Sequence, residues 1–246
     1  MRSKKEWFGE WFNSPYYHIL YKDRDNTEAR VFIDNLIDNL DFNKNDFILD
    51  LACGKGRHSI YLNNRGFNLV GVDLSPSNVE EAKKYENDRL KFFVHDMREK
   101  YAEQSFDFVL NMFTSFGYFD TNEENLRVIT NVKLALKPRG KLVLDFLNPY
   151  KVIHQLNPNE VKQKNGIDFN ISKKLDEKGF IIKTIEFNDR GEEYCYYEKV
   201  KAIRKAEFLN YFDVAGLRVI DTFGDYELNQ YDRECSERMI FIVQNK

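Results

Sequence analysis

Residues 46–60 read Asp46-Phe-Ile-Leu-Asp50-Leu-Ala-Cys-Gly54-Lys-Gly56-Arg-His-Ser-Ile60. The apolar run ending at Asp50 has the length and composition of a buried strand, and residues 56–65 read as a helix. A strand that turns through two glycines into a helix lets its backbone approach a ligand closely. Asp50 discriminates between ligands. A carboxylate at that strand end repels a dinucleotide pyrophosphate but suits the cationic amino group of a methionine moiety, so the charge pattern favours S-adenosylmethionine (SAM) over NAD. Ser59 also stands where a dinucleotide fingerprint has its third Gly or Ala.

Working outward, residues 46–51, 67–72, 90–95, 106–112 and 140–147 are short apolar runs of the kind that form parallel strands buried on both faces. Residues 56–65, 77–86 and 122–136 read as helices between them, the last stopped at Pro138-Arg-Gly140. The alternation implies an α/β, doubly wound, Rossmann-like sheet. After residue 150 the period changes. Residues 167–175, 179–187 and 193–201 read as three antiparallel strands joined by turns at 176–179 and 188–191. A helix at 205–214 and strands at 216–223 and 238–244 then resume the main pattern. The chain is therefore expected to consist of a core, 1–150 and 205–246, with a small antiparallel sheet inserted at 151–204 as a substrate cap. Residues 1–40 form an aromatic helical segment of that core; its aromatics at 7–21 read either as a helix packed on the core edge or as a lid over a ligand.

At 246 residues, with 42% hydrophobic and 31% charged residues, the chain can bury a proper core. Its formal net charge of −3 provides no positive field for nucleic acid or anionic membranes. Three scattered cysteines and the lack of a signal peptide or of a run of about 18 apolar residues point to the cytoplasm. The four histidines show no ligand spacing, so no metal is expected.

The second strand ends on Asp73, placed for ribose hydroxyls, and the third on His95-Asp96-Met97, which offers a carboxylate to an adenine amino group and a thioether to its ring. With DLACGKGRH (50–58), GVDLSPS (71–77), HDM (95–97), NMFTSFGYF (111–119) and LKPRGKLVLDF (136–146), residues 15–150 and 205–245 resemble the class I SAM-dependent methyltransferases of small-molecule type. The resemblance implies a seven-stranded sheet with its last strand, 238–244, reversed. It implies SAM contacts at Asp50, Ala52, Cys53, Gly54, Gly56 and His58, at Asp73 and Leu74, at Asp96 and Met97, at Asn111, and at Tyr17 and Tyr21.

The fourth strand leads into 111–119, where methyl group and acceptor meet in such folds. That stretch lacks the proline pair of enzymes acting on exocyclic amines of bases or on glutamine, and no cysteine stands where a cytosine-C5 enzyme needs one. A small-molecule acceptor is expected, with His18, Thr114, Tyr118, Tyr150 and His154 as substrate-side candidates and no assigned catalytic residue. Partners among nucleic acids and membranes are not expected, and the oligomeric state is left open. The rival readings are an NAD(P)-linked oxidoreductase, a SAM-binding protein without transfer activity, and a protein–protein module built on an exposed edge of the inserted sheet.

Overall fold

The computed structural model describes residues 7–22 and 26–246, which divide into two compact units: the described residues of 25–151 with 203–246, and those of 1–24 with 152–202. In the larger unit, β1 (Phe47–Leu51), β2 (Asn68–Asp73), β3 (Leu90–Val94), β4 (Phe106–Asn111), β5 (Leu136–Leu147), β10 (Leu217–Phe223) and β11 (Arg238–Asn245) form one seven-stranded sheet in the order β10-β11-β5-β4-β1-β2-β3. β1 to β5 pair in parallel, while β11 runs antiparallel to both β5 and β10. The reversed last strand is thus present. Helices α3 (Asn26–Asn39), α4 (Arg57–Asn64), α5 (Pro76–Lys83), α6 (Asn122–Ala135) and α8 (Lys205–Ala215) belong to this unit, and α7 (Pro149–His154) leads from β5 into the second one. Phe32, Ile33 and Leu36 of α3 bury against Ile48, Phe108 and Val143 of β1, β4 and β5. The sheet order changes direction beside β1, whose neighbours are β4 and β2, and ligands in open α/β sheets bind at such a switch, outside the carboxyl ends of the strands.

One boundary differs from expectation. Pro138-Arg-Gly140 does not stop α6 before a strand at 140; β5 already starts at Leu136 and runs through it. The register against β4 shifts between Phe106 and Phe108, Arg139 sits at φ +64, and a Cβ on Gly140 would lie 3.0 Å from the Phe106 carbonyl oxygen. Proline, which cannot donate to the ladder, is accommodated by this irregularity.

The smaller unit holds α1 (Trp7–Trp11), α2 (Pro15–Leu20) and a sheet of β6 (Asn159–Lys164), β7 (Ile167–Leu175), β8 (Phe180–Asp189) and β9 (Glu192–Lys201), all antiparallel in sequence order. The sheet has four strands rather than three. The missed strand, β6, reads Asn-Glu-Val-Lys-Gln-Lys, and its one apolar side chain, Val161, is 65% exposed at the sheet edge, so no alternation betrays it. The aromatic N-terminal stretch forms two short helices, because the Ser14 hydroxyl caps the Tyr16 amide and Pro15 cannot continue α1. Those aromatics lie on the antiparallel sheet of their own unit. Trp11 packs on Tyr196 at 4.8 Å and donates to Glu198, Tyr16 packs on Phe187 at 4.6 Å and donates to Asp189, and the Tyr21 hydroxyl donates to Glu198. Residues 4–6 lie outside the described part. No helix among the described residues is long and apolar enough to cross a membrane.

Candidate functional site

Near the end of β1, Asp50 is 2% exposed and accepts a 2.5 Å hydrogen bond from the Ser59 hydroxyl of α4. Burial pushes its carboxyl up to about 6, with the Ser59 bond opposing and the nearby Asp73 charge adding to the rise. The chain then turns through Ala52 (φ +67), Gly54 (φ +57) and Gly56 (φ +78) into α4. The two glycines do different work. A Cβ on Gly54 would meet nothing within 4 Å, leaving open space over its backbone, whereas one on Gly56 would lie 2.6 Å from Phe92 Cζ. The close approach that Gly56 permits is to a core phenylalanine.

Cys53 points its thiol inward, 3.0 Å from where a Gly71 Cβ would stand, and burial pushes that thiol well above its ordinary range. His58 is buried and stacked on Phe113 at 4.7 Å; burial lowers its pKa to about 3, so the ring is neutral, and its Nε2 makes no hydrogen bond.

β2 ends on Asp73, whose Oδ2 accepts from the Gly54 amide at 2.8 Å and Oδ1 from the Ser75 amide at 2.9 Å. Burial raises its pKa, and these amide bonds pull the other way. Leu74, beside it, is 40% exposed. After β3, Asp96 is engaged by the Arg98 guanidinium, with an Nη2 to Oδ2 distance of 2.7 Å. Burial works against its charge, but the Arg98 bonds outweigh it and hold the carboxyl below the ordinary range. Arg98 also bonds Glu124 and lies over Phe119. The Met97 carbonyl accepts from Asn131. β4 ends on the buried Asn111, which donates to the Leu51 carbonyl at 3.0 Å and leaves its own Oδ1 without a partner.

The strand ends of β4, β1 and β2 therefore present a neutral oxygen acceptor and two carboxylates around a backbone loop with free space above it. A site made of acceptors suits a ligand bearing an ammonium and hydroxyls; it disfavours a pyrophosphate. A methyltransferase-domain family model matches residues 48–140. Residues 48–140 thus carry a methyltransferase domain, and the chain is a SAM-dependent methyltransferase. Glycine/sarcosine N-methyltransferase of Halorhodospira halochloris is 26% identical over 195 residues, 76% of this methyltransferase and 71% of that one. The dTDP-3-amino-3,4,6-trideoxy-alpha-D-glucopyranose N,N-dimethyltransferase of Streptomyces venezuelae is 27% identical over 179 residues, 70% and 75% of the two chains. Bacillus subtilis YqeM is 35% identical over 108 residues, but that match spans 43% of this chain and 44% of the other. A SAM-dependent methyltransferase structure from Clostridium acetobutylicum superposes with a TM-score of 0.79 at 19% identity, covering 93% and 95%.

SAM is the methyltransferase's cofactor, and the cradle fits such a group: the buried Asn111 Oδ1 is left without a partner and the space over Gly54 is open. Among the described residues no cluster of three or more His, Cys, Asp or Glu could hold a metal.

The floor beyond β4 rests on residues that sequence reasoning missed. Phe113 (φ +58) and Thr114 (φ +59) are consecutive left-handed residues, a costly conformation for bulky side chains. Asp145, fully buried in β5, offsets that cost by accepting from the Phe113 amide at 2.7 Å while its carbonyl accepts from the Thr114 amide. Arg238 of β11 donates to Asp145 and, at 2.8 Å, to the Thr114 hydroxyl; the buried Tyr226 hydroxyl donates to Asp145 as well. Tyr118 donates to the Thr114 carbonyl. Thr114, Tyr118 and Tyr150 lie in the unit that carries the cradle, whereas Tyr17, His18, Tyr21 and His154 belong to the other.

Proposed function

We propose that this methyltransferase moves the SAM methyl group onto a small-molecule amine. The observation behind this reading is the acceptor-rich cradle of Asp50, Asp73 and Asn111 around Gly54, beside a floor at 113–118 that has no general base of its own. Asp50 and Asn111 are suited to the methionine ammonium, Asp73 to the ribose hydroxyls, and the exposed Leu74 with Met97 to the adenine faces. Asp96, already held by Arg98, can take the adenine amino group on an oxygen lone pair left over.

Bound SAM supplies a methyl group on a sulfonium, already activated for in-line displacement. What the chain adds is alignment, worth roughly 7–11 kcal/mol in well-oriented systems. The Tyr118 hydroxyl is committed to the Thr114 carbonyl and the Thr114 hydroxyl accepts from Arg238, so neither is set up to take a proton. A neutral amine, which carries its own lone pair, needs no such base. Two relatives named above are N-methyltransferases, and the acceptors in their names are amines that also bear an acid group, the carboxylate of glycine and the diphosphate of a dTDP-sugar.

Transfer from methyl-labelled SAM to a metabolite panel tests the reading. Label is expected on small amines. Label on bulk RNA, DNA or protein with the panel unlabelled contradicts it.

A further inference from the structure

Beyond the end of β5, Asn148 is fully buried and organises a second cluster wholly within the larger unit. Its Nδ2 donates to the carbonyls of Arg233 and Ser236 at 2.9 and 2.8 Å, and its Oδ1 accepts from the Tyr150 amide and the Tyr231 hydroxyl at 3.3 and 3.4 Å. One side-chain amide thus ties Tyr150, Tyr231 and Arg233 to the carboxyl edge of the sheet.

Cations gather on these two rings. The guanidinium carbons of Arg204 and Arg233 lie 5.8 and 5.1 Å from the Tyr150 ring centre, and Lys205 Nζ lies 4.8 Å from that of Tyr231. Arg233 is neutralised by Glu234 at 2.6 Å. Arg204 and Lys205 are not: among the described residues no carboxylate is within ion-pair distance of either side-chain charge, since the nearby Glu207 caps the Arg204 backbone amide instead. Two cations without an ion-pair partner, held beside aromatic rings, leave charge available to an anion, and the guanidinium is suited to a two-oxygen group.

Its place in the fold links it to the acceptor. Asn148 follows Leu147, which pairs with Arg238, and Arg238 donates to the Thr114 hydroxyl on the floor beyond β4. From this we infer that the acceptor carries an anionic group, a carboxylate or a phosphate, and that Arg204 and Lys205 bind it against Tyr150 and Tyr231. This rests on the small-molecule amine reading and narrows it to amines bearing an acid.

The test titrates the full chain, saturated with S-adenosylhomocysteine, with sarcosine as the carboxylate probe and thymidine diphosphate as the phosphate probe. Binding of one of them is expected, which also names the anion, and it should weaken at least tenfold in Arg204→Gln/Lys205→Gln. Both residues are at least partly solvent-exposed, and S-adenosylhomocysteine affinity within twofold of the parent shows that the variant is folded. Binding of neither probe, or binding that survives the double substitution, overturns the inference. Methyl transfer to glycine and to ethanolamine, which lacks the acid, separates the two levels. Equal use of both amines in parent and variant removes the anion site and leaves the amine reading intact, whereas failure of every amine removes that reading itself.

Discussion

The Gly54 amide donates to Asp73 Oδ2 at 2.8 Å, so the loop after β1 is held by the carboxylate at the end of β2 that we propose for the ribose hydroxyls. On that proposal one side chain serves both as loop anchor and as ligand acceptor. Asp73→Asn keeps one oxygen acceptor but turns an NH2 group toward amide donors. We expect SAM to bind at least tenfold more weakly by calorimetry, consistent with about 1.5–3 kcal/mol per charge-assisted bond, with a lowered Tm from the loosened loop. An unchanged dissociation constant removes Asp73 from the site.

The two loop glycines should separate cleanly. Gly56→Ala drives a Cβ into Phe92 and is expected to cost about 1–3 kcal/mol of stability, partly recovered by Phe92→Leu. Gly54→Val meets no neighbour, so beyond a left-handed backbone penalty of roughly 1–2 kcal/mol its effect should appear as lost SAM binding. Denaturant midpoints and calorimetry on both variants decide this; equal stability losses with equal SAM affinities contradict it.

Asp50 sets a stability cost that rises with pH. Its folded carboxyl is near 6, above the 3.8 of the unfolded chain, so between those values the folded state binds more protons and stability falls as pH rises. Asp50→Asn removes that cost while still accepting from Ser59. Its Tm advantage over the parent should be small near pH 4 and grow through pH 6 to the equivalent of up to about 3 kcal/mol, while SAM binding weakens. A variant less stable than the parent at pH 7.5 refutes the ionisation argument.

Much of this was legible in residues 46–147. β1, β2 and β4 are buried on both faces, so their apolar runs stand out, and the carboxylates of Asp50 and Asp73 mark where those runs end. Asp145 was equally visible as a charge inside Leu-Val-Leu-Asp-Phe-Leu, but its partner Arg238 lies 93 positions away and nothing local announces it. Gly56 and Phe92 present the same difficulty. The edge strand β6 is polar throughout, and the resting place of the N-terminal aromatics depends on a sheet formed more than 150 residues later.

The Asp145 and Arg238 pair predicts strong coupling. Arg238→Met leaves a buried carboxylate unpaired and should cost about 3–5 kcal/mol, and adding Asp145→Asn should cost much less than its single effect. A denaturant double-mutant cycle measures this, and additive losses contradict it.

The most direct test of the cradle is calorimetric titration of the purified chain with SAM, S-adenosylhomocysteine and NAD. The acceptor-lined site predicts micromolar-scale binding of SAM or its product, about 8 kcal/mol, and no heat from NAD. Binding of NAD without binding of SAM contradicts the account.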